Sequence, residues 1–196
     1  MSMHKYNYDF FKDINTEAKA YVLAWFWCRG SGHLQLHKRD IDILETIKEL
    51  IDFSGPIHVY NNVADLNIYS APLLESGCVP NRFYDQDLPS LSDGMYQHFI
   101  RGLFDSYGSI IIHKQKYLNI SILSNETLIT SLRKYLKVAL DIDTKHYYRY
   151  SHTTTLQMLI TKTQDAVRFC EYMYLGSNFY MARKLTKYHE YTQKGV

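Results

Sequence analysis

Few residues of this chain have the types and spacing to do chemistry, and those that come nearest lie in a segment that occurs twice. Tyr21 to Ser31 and Phe99 to Ser109 are both largely apolar, helix-like runs that end at a Gly-Ser step before a strand-like run. A hard divalent cation takes oxygen ligands, and such a cation can activate water against a phosphodiester. Near their ends the two runs carry Arg29 and Tyr107 at matching positions. A guanidinium repels a divalent cation, and a phenol is neutral at physiological pH. Asp105 is the one acid in the second run. It precedes the tip position by two residues, which turns it by about 200° around a helix, and its counterpart in the first run is Trp27. Carboxylates near helix ends commonly serve the backbone rather than a metal.

Other chemistries fare worse. His33 and His37 lie four apart, but in the alternating run His33-Leu34-Gln35-Leu36-His37, and no cysteine pair accompanies them, so a zinc site is not expected. Cys28, Cys78 and Cys170 are odd in number and widely spaced, without a Cys-x-x-Cys pair, as expected of unpaired thiols in a reducing compartment. No cofactor is expected.

The elements that must position these residues can be read from periodicity. Ala24 and Cys28 in the first run, and Gly102 and Ser106 in the second, are small residues four apart. They share a helix face and would let the two helices approach closely. Residues 1 to 15 read as a short polar and aromatic arm, and Thr16 as the N-cap of the first helix. The leucines of His33 to His37 would face a core, leaving His33, Gln35 and His37 outward. Ile43, Leu44, Ile47 and Leu50 mark a second helix, stopped by Ser54-Gly55-Pro56. Residues 57 to 60 and 64 to 68 read as a hairpin around Asn61-Asn62, followed by a short helix near Ala71 to Ser76 and a linker over 77 to 92.

After the second run come strand-like segments at 109 to 115 and 117 to 123, then a helix from Thr127 to Leu140 with Leu128, Leu132, Leu136 and Leu140 as its apolar stripe. Leu156, Met158 and Ile160 mark the last strand, and Gln164 to Tyr174 and Phe179 to Tyr191 the closing helices. Tyr147, Tyr148 and Tyr150 surround Arg149. They suit either base stacking or a half-buried strand. Hairpins with helices on one face make an α+β layer whose other sheet face is open.

Composition sets the frame. With 196 residues and 46% hydrophobic content, the chain can form two small domains, expected at 1–92 and 93–196. No apolar run reaches bilayer length, and no basic-then-apolar leader opens the chain, so the expectation is a soluble protein of the cytoplasm or another reducing intracellular compartment. Net charge is +2, but residues 1–92 hold 8 Lys+Arg against 12 Asp+Glu, and residues 93–196 hold 14 against 8. A polyanion is therefore expected mainly on the second half.

The duplicated runs, the helix opening near Ser124-Asn125-Glu126-Thr127 and the segment Tyr180-Met181-Ala182-Arg183-Lys184 together resemble the LAGLIDADG homing endonucleases in their single-chain, two-repeat form. The resemblance implies two tandem αββαββα repeats related by a pseudo-two-fold axis at the motif helices, with the first repeat shortened to one strand between Ser31 and Asp40. In that family the penultimate motif residue is an acid that holds a divalent metal over DNA. Here those positions are Arg29 and Tyr107, with Asp105 as the remnant acid.

The fold so implied is a monomeric saddle that sits on duplex DNA. The candidate readers on its open face are His33, Gln35, His37, His58 and Tyr60 from the first half. From the second half they are His113, Gln115, Tyr117, Asn119, Ser121, Lys145 and Tyr147. Arg29, Arg149 and Lys184 are the candidate cations for phosphate. The expected function is a catalytically inactive double-stranded-DNA-binding protein, such as a regulator. The alternatives are an active endonuclease with a displaced magnesium site, a maturase-like splicing cofactor that binds structured RNA, and a protein-binding module on the same fold.

Overall fold

A computed structural model describes residues 4–29, 32–68, 87–148 and 155–194, without the side chains of residues 28, 29, 147 and 148. The expected helix at 71 to 76 and most of the expected linker lie outside them. The chain divides into two compact units, Met1–Phe83 with Leu91–Gly102, and Tyr84–Ser90 with Leu103–Val196.

The first unit is built around α1 (Glu17–Arg29). Thr16 caps it, its Oγ1 accepting from the Lys19 backbone N–H at 3.3 Å. Residues 20–26 are all buried, which is why the helix is apolar on every side rather than along one stripe. Strand β1 (His33–His37) and helix α2 (Ile41–Leu50) follow, then β2 (Ile57–Tyr60) and β3 (Val63–Asn67). The strands form an antiparallel sheet in the order β1-β3-β2. Leu34, Ala64 and Leu66 are fully buried on one face, and Ile43, Leu44 and Ile47 of α2 are buried with them. Asn61 makes the β2–β3 turn with φ 53°, a left-handed conformation that asparagine tolerates better than most residues.

The amino-terminal residues do not form a free arm. Asn7 N–H donates to the Ile51 carbonyl (2.7 Å), Ser54 N–H donates to the Lys5 carbonyl (2.9 Å), and Tyr6, Phe10 and Phe11 are buried. Their aromatic surface adds to a core that the small first sheet alone leaves incomplete.

Helix α3 (Asp93–Tyr107) begins in the first unit and ends in the second. Its first part packs on α1, so the division falls between Gly102 and Leu103 rather than in front of the helix. A Cβ on Gly102 would overlap the Tyr21 carbonyl oxygen and lie 2.8 Å from Ala24 Cβ. This contact accounts for the small residues at both positions.

The second unit continues with β4 (Gly108–His113), β5 (Tyr117–Asn125), α4 (Glu126–Leu140), β6 (Lys145–Tyr148), β7 (Thr155–Ile160), α5 (Thr163–Tyr174) and α6 (Ala182–Gln193). Its antiparallel sheet has the order β4-β5-β7-β6. Leu118, Ile120, Ile122, Leu156, Met158 and Ile160 form the buried face, as their alternation predicts. Helices α4 and α5 pack on β5 and β7, and α6 on β4. Asn125 Oδ1 caps α4 by accepting from Leu128 N–H at 2.8 Å.

Two of the expected bounds that move have a visible cause. Strand β4 stops at His113 because Lys114 and Gln115 take positive φ (50° and 56°) in a tight turn closed by Lys116 N–H on the His113 carbonyl at 3.0 Å. The last helix starts at Ala182, not Phe179, because the Met181 N–H is held by the Asp105 carboxylate (2.8 Å).

Candidate nucleic-acid interface

Alternation along the strands places one set of side chains in each core and the other on the uncovered face. In the first unit the uncovered rows are His33 beside Asn67, then Gln35 beside Asp65 beside His58, then His37 beside Val63 beside Tyr60. His33, Gln35, His37, His58 and Tyr60 are all exposed. The row is internally organised: Gln35 Nε2 donates to the Tyr60 hydroxyl at 2.6 Å, and His33 Nε2 lies 2.5 Å from Asp65 Oδ1. That last approach lacks hydrogen-bond direction, since Asp65 Oδ1 finds no directed donor among the described residues. His37 Nδ1 accepts from the Arg39 N–H at 3.2 Å and so also opens the short turn into α2.

In the second unit the uncovered rows pair His113 with Tyr117, Ile111 with Asn119, and Ser109 with Ser121. Ser121 continues to Leu159 and Lys145, and Leu123 to Gln157 and Tyr147. His113, Gln115, Tyr117 and Lys145 are exposed, Gln115 at the turn rather than on a strand. Lys116 Nζ stands 5.6 Å from the centre of the Tyr117 ring. Asn119 is half-buried, its amide placed to donate to the Thr161 carbonyl at 3.2 Å. Tyr147 lies on β6 with its side chain outside the described residues, and Arg149 lies wholly outside them.

Two candidate contacts are corrected. Ser121 is only 5% exposed, its Oγ accepting from Gln157 Nε2 at 2.6 Å. Gln157, the residue that reaches outward there, was missed, although it alternates with Leu156 and Met158 in the sequence. Lys184 is 4% exposed and is no phosphate contact. Its ammonium donates to the carbonyls of Phe104 (2.6 Å), Asp105 (2.8 Å) and Gly108 (2.6 Å), satisfying the orphan carbonyls where α3 ends.

Arg29 and Tyr107 are the last residues of α1 and α3. The Arg29 side chain is outside the described residues. Asp105 is 1% exposed, its two oxygens accepting from the Tyr174 hydroxyl (3.2 Å) and the Met181 N–H (2.8 Å). Among the described residues no group of three or more His, Cys, Asp or Glu side chains is placed to hold a metal ion. Of the four small residues, Ala24 and Gly102 meet as described. The Cys28 side chain is outside the described residues, and the buried Ser106 Oγ finds no partner among them. Burial pushes the Cys170 thiol up, which keeps it protonated and unreactive.

A charged cluster that periodicity did not reveal lies where α3 meets α1. Arg101 is fully buried, with Nη2 2.6 Å from Glu17 Oε1 and 3.1 Å from His98 Nδ1, and its guanidinium 5.5 Å from the centre of the Tyr21 ring. Burial first, and then the Arg101 charge, hold His98 below the usual imidazole range, while Glu17 pulls the other way.

Comparison with known proteins identifies this architecture. The family model described as a LAGLIDADG-like domain matches residues 95–174. No curated protein matches the chain significantly by sequence. Among solved structures, full-length DUF199/WhiA from Thermatoga maritima is similar with a TM-score of 0.59 and 16% identity, over 97% of this chain and 67% of that one. The N-terminal LAGLIDADG domain of DUF199/WhiA gives 0.58 and 18%, over 86% of this chain and 92% of that one. The LAGLIDADG homing endonuclease I-GzeII in complex with its DNA target gives 0.59 and 9%, over 88% of each chain. The resemblance read from the sequence is thus found by sequence in the second half, and the α+β fold is the LAGLIDADG fold. No helix among the described residues is long and apolar enough to cross a membrane.

Proposed function

We propose that this chain of LAGLIDADG fold binds double-stranded DNA through the open faces of its two sheets and leaves the strands uncut. The observation that carries the reading is the pair of antiparallel sheets that, among the described residues, are covered by helices on one face only, with polar and aromatic side chains at alternate positions of the other. Solved structures of the same fold include complexes with DNA. Glutamine and asparagine amides match the donor and acceptor pair of adenine, and a carboxylate such as that of Asp65 can accept from cytosine. Exposed lysines at the β4–β5 turn and on β6 suit phosphates.

The argument against cleavage is electrostatic. Asp105 is committed to Tyr174 and Met181, and a buried ammonium occupies the carbonyls at the tip of α3. A divalent cation there would have to displace a charge already satisfied by three acceptors. Binding without cleavage suits a regulator or a competitor for sites, working without a bound metal and as a monomer.

Selection from a random duplex pool tests the reading. Enrichment of a common sequence is expected, and its loss in a Gln35→Ala/His58→Ala variant would place recognition on the first sheet. Failure to enrich any duplex, with retention of structured RNA instead, would replace this reading with the splicing-cofactor one.

A further inference from the structure

Several cations of the second unit form ion pairs, and others, Lys145 on β6 among them, do not among the described residues. Near the β6 edge, Lys137 Nζ lies 2.7 Å from Asp141 and 3.0 Å from Asp143, and Lys162 and Arg168 approach Asp143 and Asp165. Near the β4 edge, Lys114, Lys116, Lys187 and Lys194 are exposed and make no ion pair among the described residues.

This second group lies along one ridge. On α6, Arg183, Lys187, Glu190 and Lys194 are exposed and recur at each turn, falling within about 60° of one another around the helix. Tyr191, beside that stripe, donates its hydroxyl to the Lys116 carbonyl at 2.9 Å, and Gln115, Glu190 and Lys194 line one small cleft. The helix stripe and the β4–β5 turn are therefore neighbours, with five cations and one acid between them.

Two physical arguments point to a polyanionic partner. Like charges within a Debye length of about 8 Å repel, and Lys114, Lys116, Lys187 and Lys194 outnumber Glu190, the one acid of the stripe. The turn also holds Lys114 and Gln115 in left-handed backbone, a conformation in which Asn-Gly would be relaxed, so that Lys-Gln-Lys stands at the tip. The stripe from Arg183 to Lys194 runs about 16 Å along the helix, enough to follow roughly five nucleotides of one strand at 3.4 Å each.

We propose that this ridge is a second DNA contact, blind to sequence, that takes phosphates flanking the site read by the sheets. It rests on the DNA-binding reading and adds to it a surface on the helical layer. Titration of a random-sequence duplex across salt concentrations tests it. Lys187→Gln/Lys194→Gln is expected to lower affinity about tenfold at low salt and to flatten the log–log salt slope by about 2, with an unchanged melting temperature. Glu190→Lys should tighten binding and steepen the slope by about 1, a gain that a misfolded protein cannot mimic. Variants that bind duplex as the wild type does, or that change only RNA binding, overturn the ridge and leave the sheet reading standing. A wild type that binds no duplex overturns both.

Discussion

Lys184 and Asp105 hold the end of α3 from opposite directions, one with a buried ammonium on three carbonyls and the other with a carboxylate on a hydroxyl and an N–H. Replacing Lys184 with Met leaves those acceptors dry and unmet, and should lower stability by about 3 kcal/mol or more in urea titration; a loss under about 1 kcal/mol would mean that water replaces the ammonium. His98 gives a pH signature. Its folded pKa lies below the ordinary 6.5, so below about that pH the unfolded chain binds the proton first and stability falls as acid is added. His98→Gln should remove that part of the slope between pH 7 and the folded pKa, and melting curves across the range would detect it. At this scale the sequence was least informative. Residue type suggested that Lys184 meets phosphate, yet Arg183, one position away, is the exposed one, and only burial tells them apart. Arg101 was invisible for the same reason: nothing in an apolar run marks which guanidinium lies against Glu17.

Between elements, α1 and α3 approach closely at Gly102. A helical glycine replaced by alanine normally gains about 1 kcal/mol, and Gly94, exposed near the start of α3 with nothing within 4 Å of a Cβ, should show that gain. Gly102→Ala should do the reverse, losing about 1–3 kcal/mol, because its Cβ meets the Tyr21 carbonyl and Ala24. Equal effects at the two positions, measured by chemical denaturation, would refute the packing described here. Elements were the most legible scale. Period-two alternation placed β1, β5 and β7, and apolar spacing placed α2 and α4, because each is half-buried. The misses have specific causes: a turn made by Lys-Gln without glycine hid the end of β4, and a hydrogen bond from the Met181 N–H to Asp105, distant in sequence, fixed the start of α6. The amino-terminal residues read as an arm because isolated aromatics carry no period, although Tyr6, Phe10 and Phe11 are buried.

For the whole molecule, the repeat and the order of elements were readable because duplication leaves the same pattern twice, whereas function depends on what the open faces meet. Charge is the broadest property: the acidic first half and basic second half predict that duplex affinity is steeply salt-dependent and resides mainly in the second unit. Alanine at Lys145 should weaken binding of all duplexes uniformly and flatten the salt slope by about 1, with electrophoretic or anisotropy titration as the check. The most direct test of the central claim is one titration of a selected duplex with the wild-type protein in millimolar magnesium, reading affinity and strand integrity on the same samples. Saturable, salt-sensitive binding with every strand intact is the predicted result; nicked strands, or no binding at low salt, would contradict it.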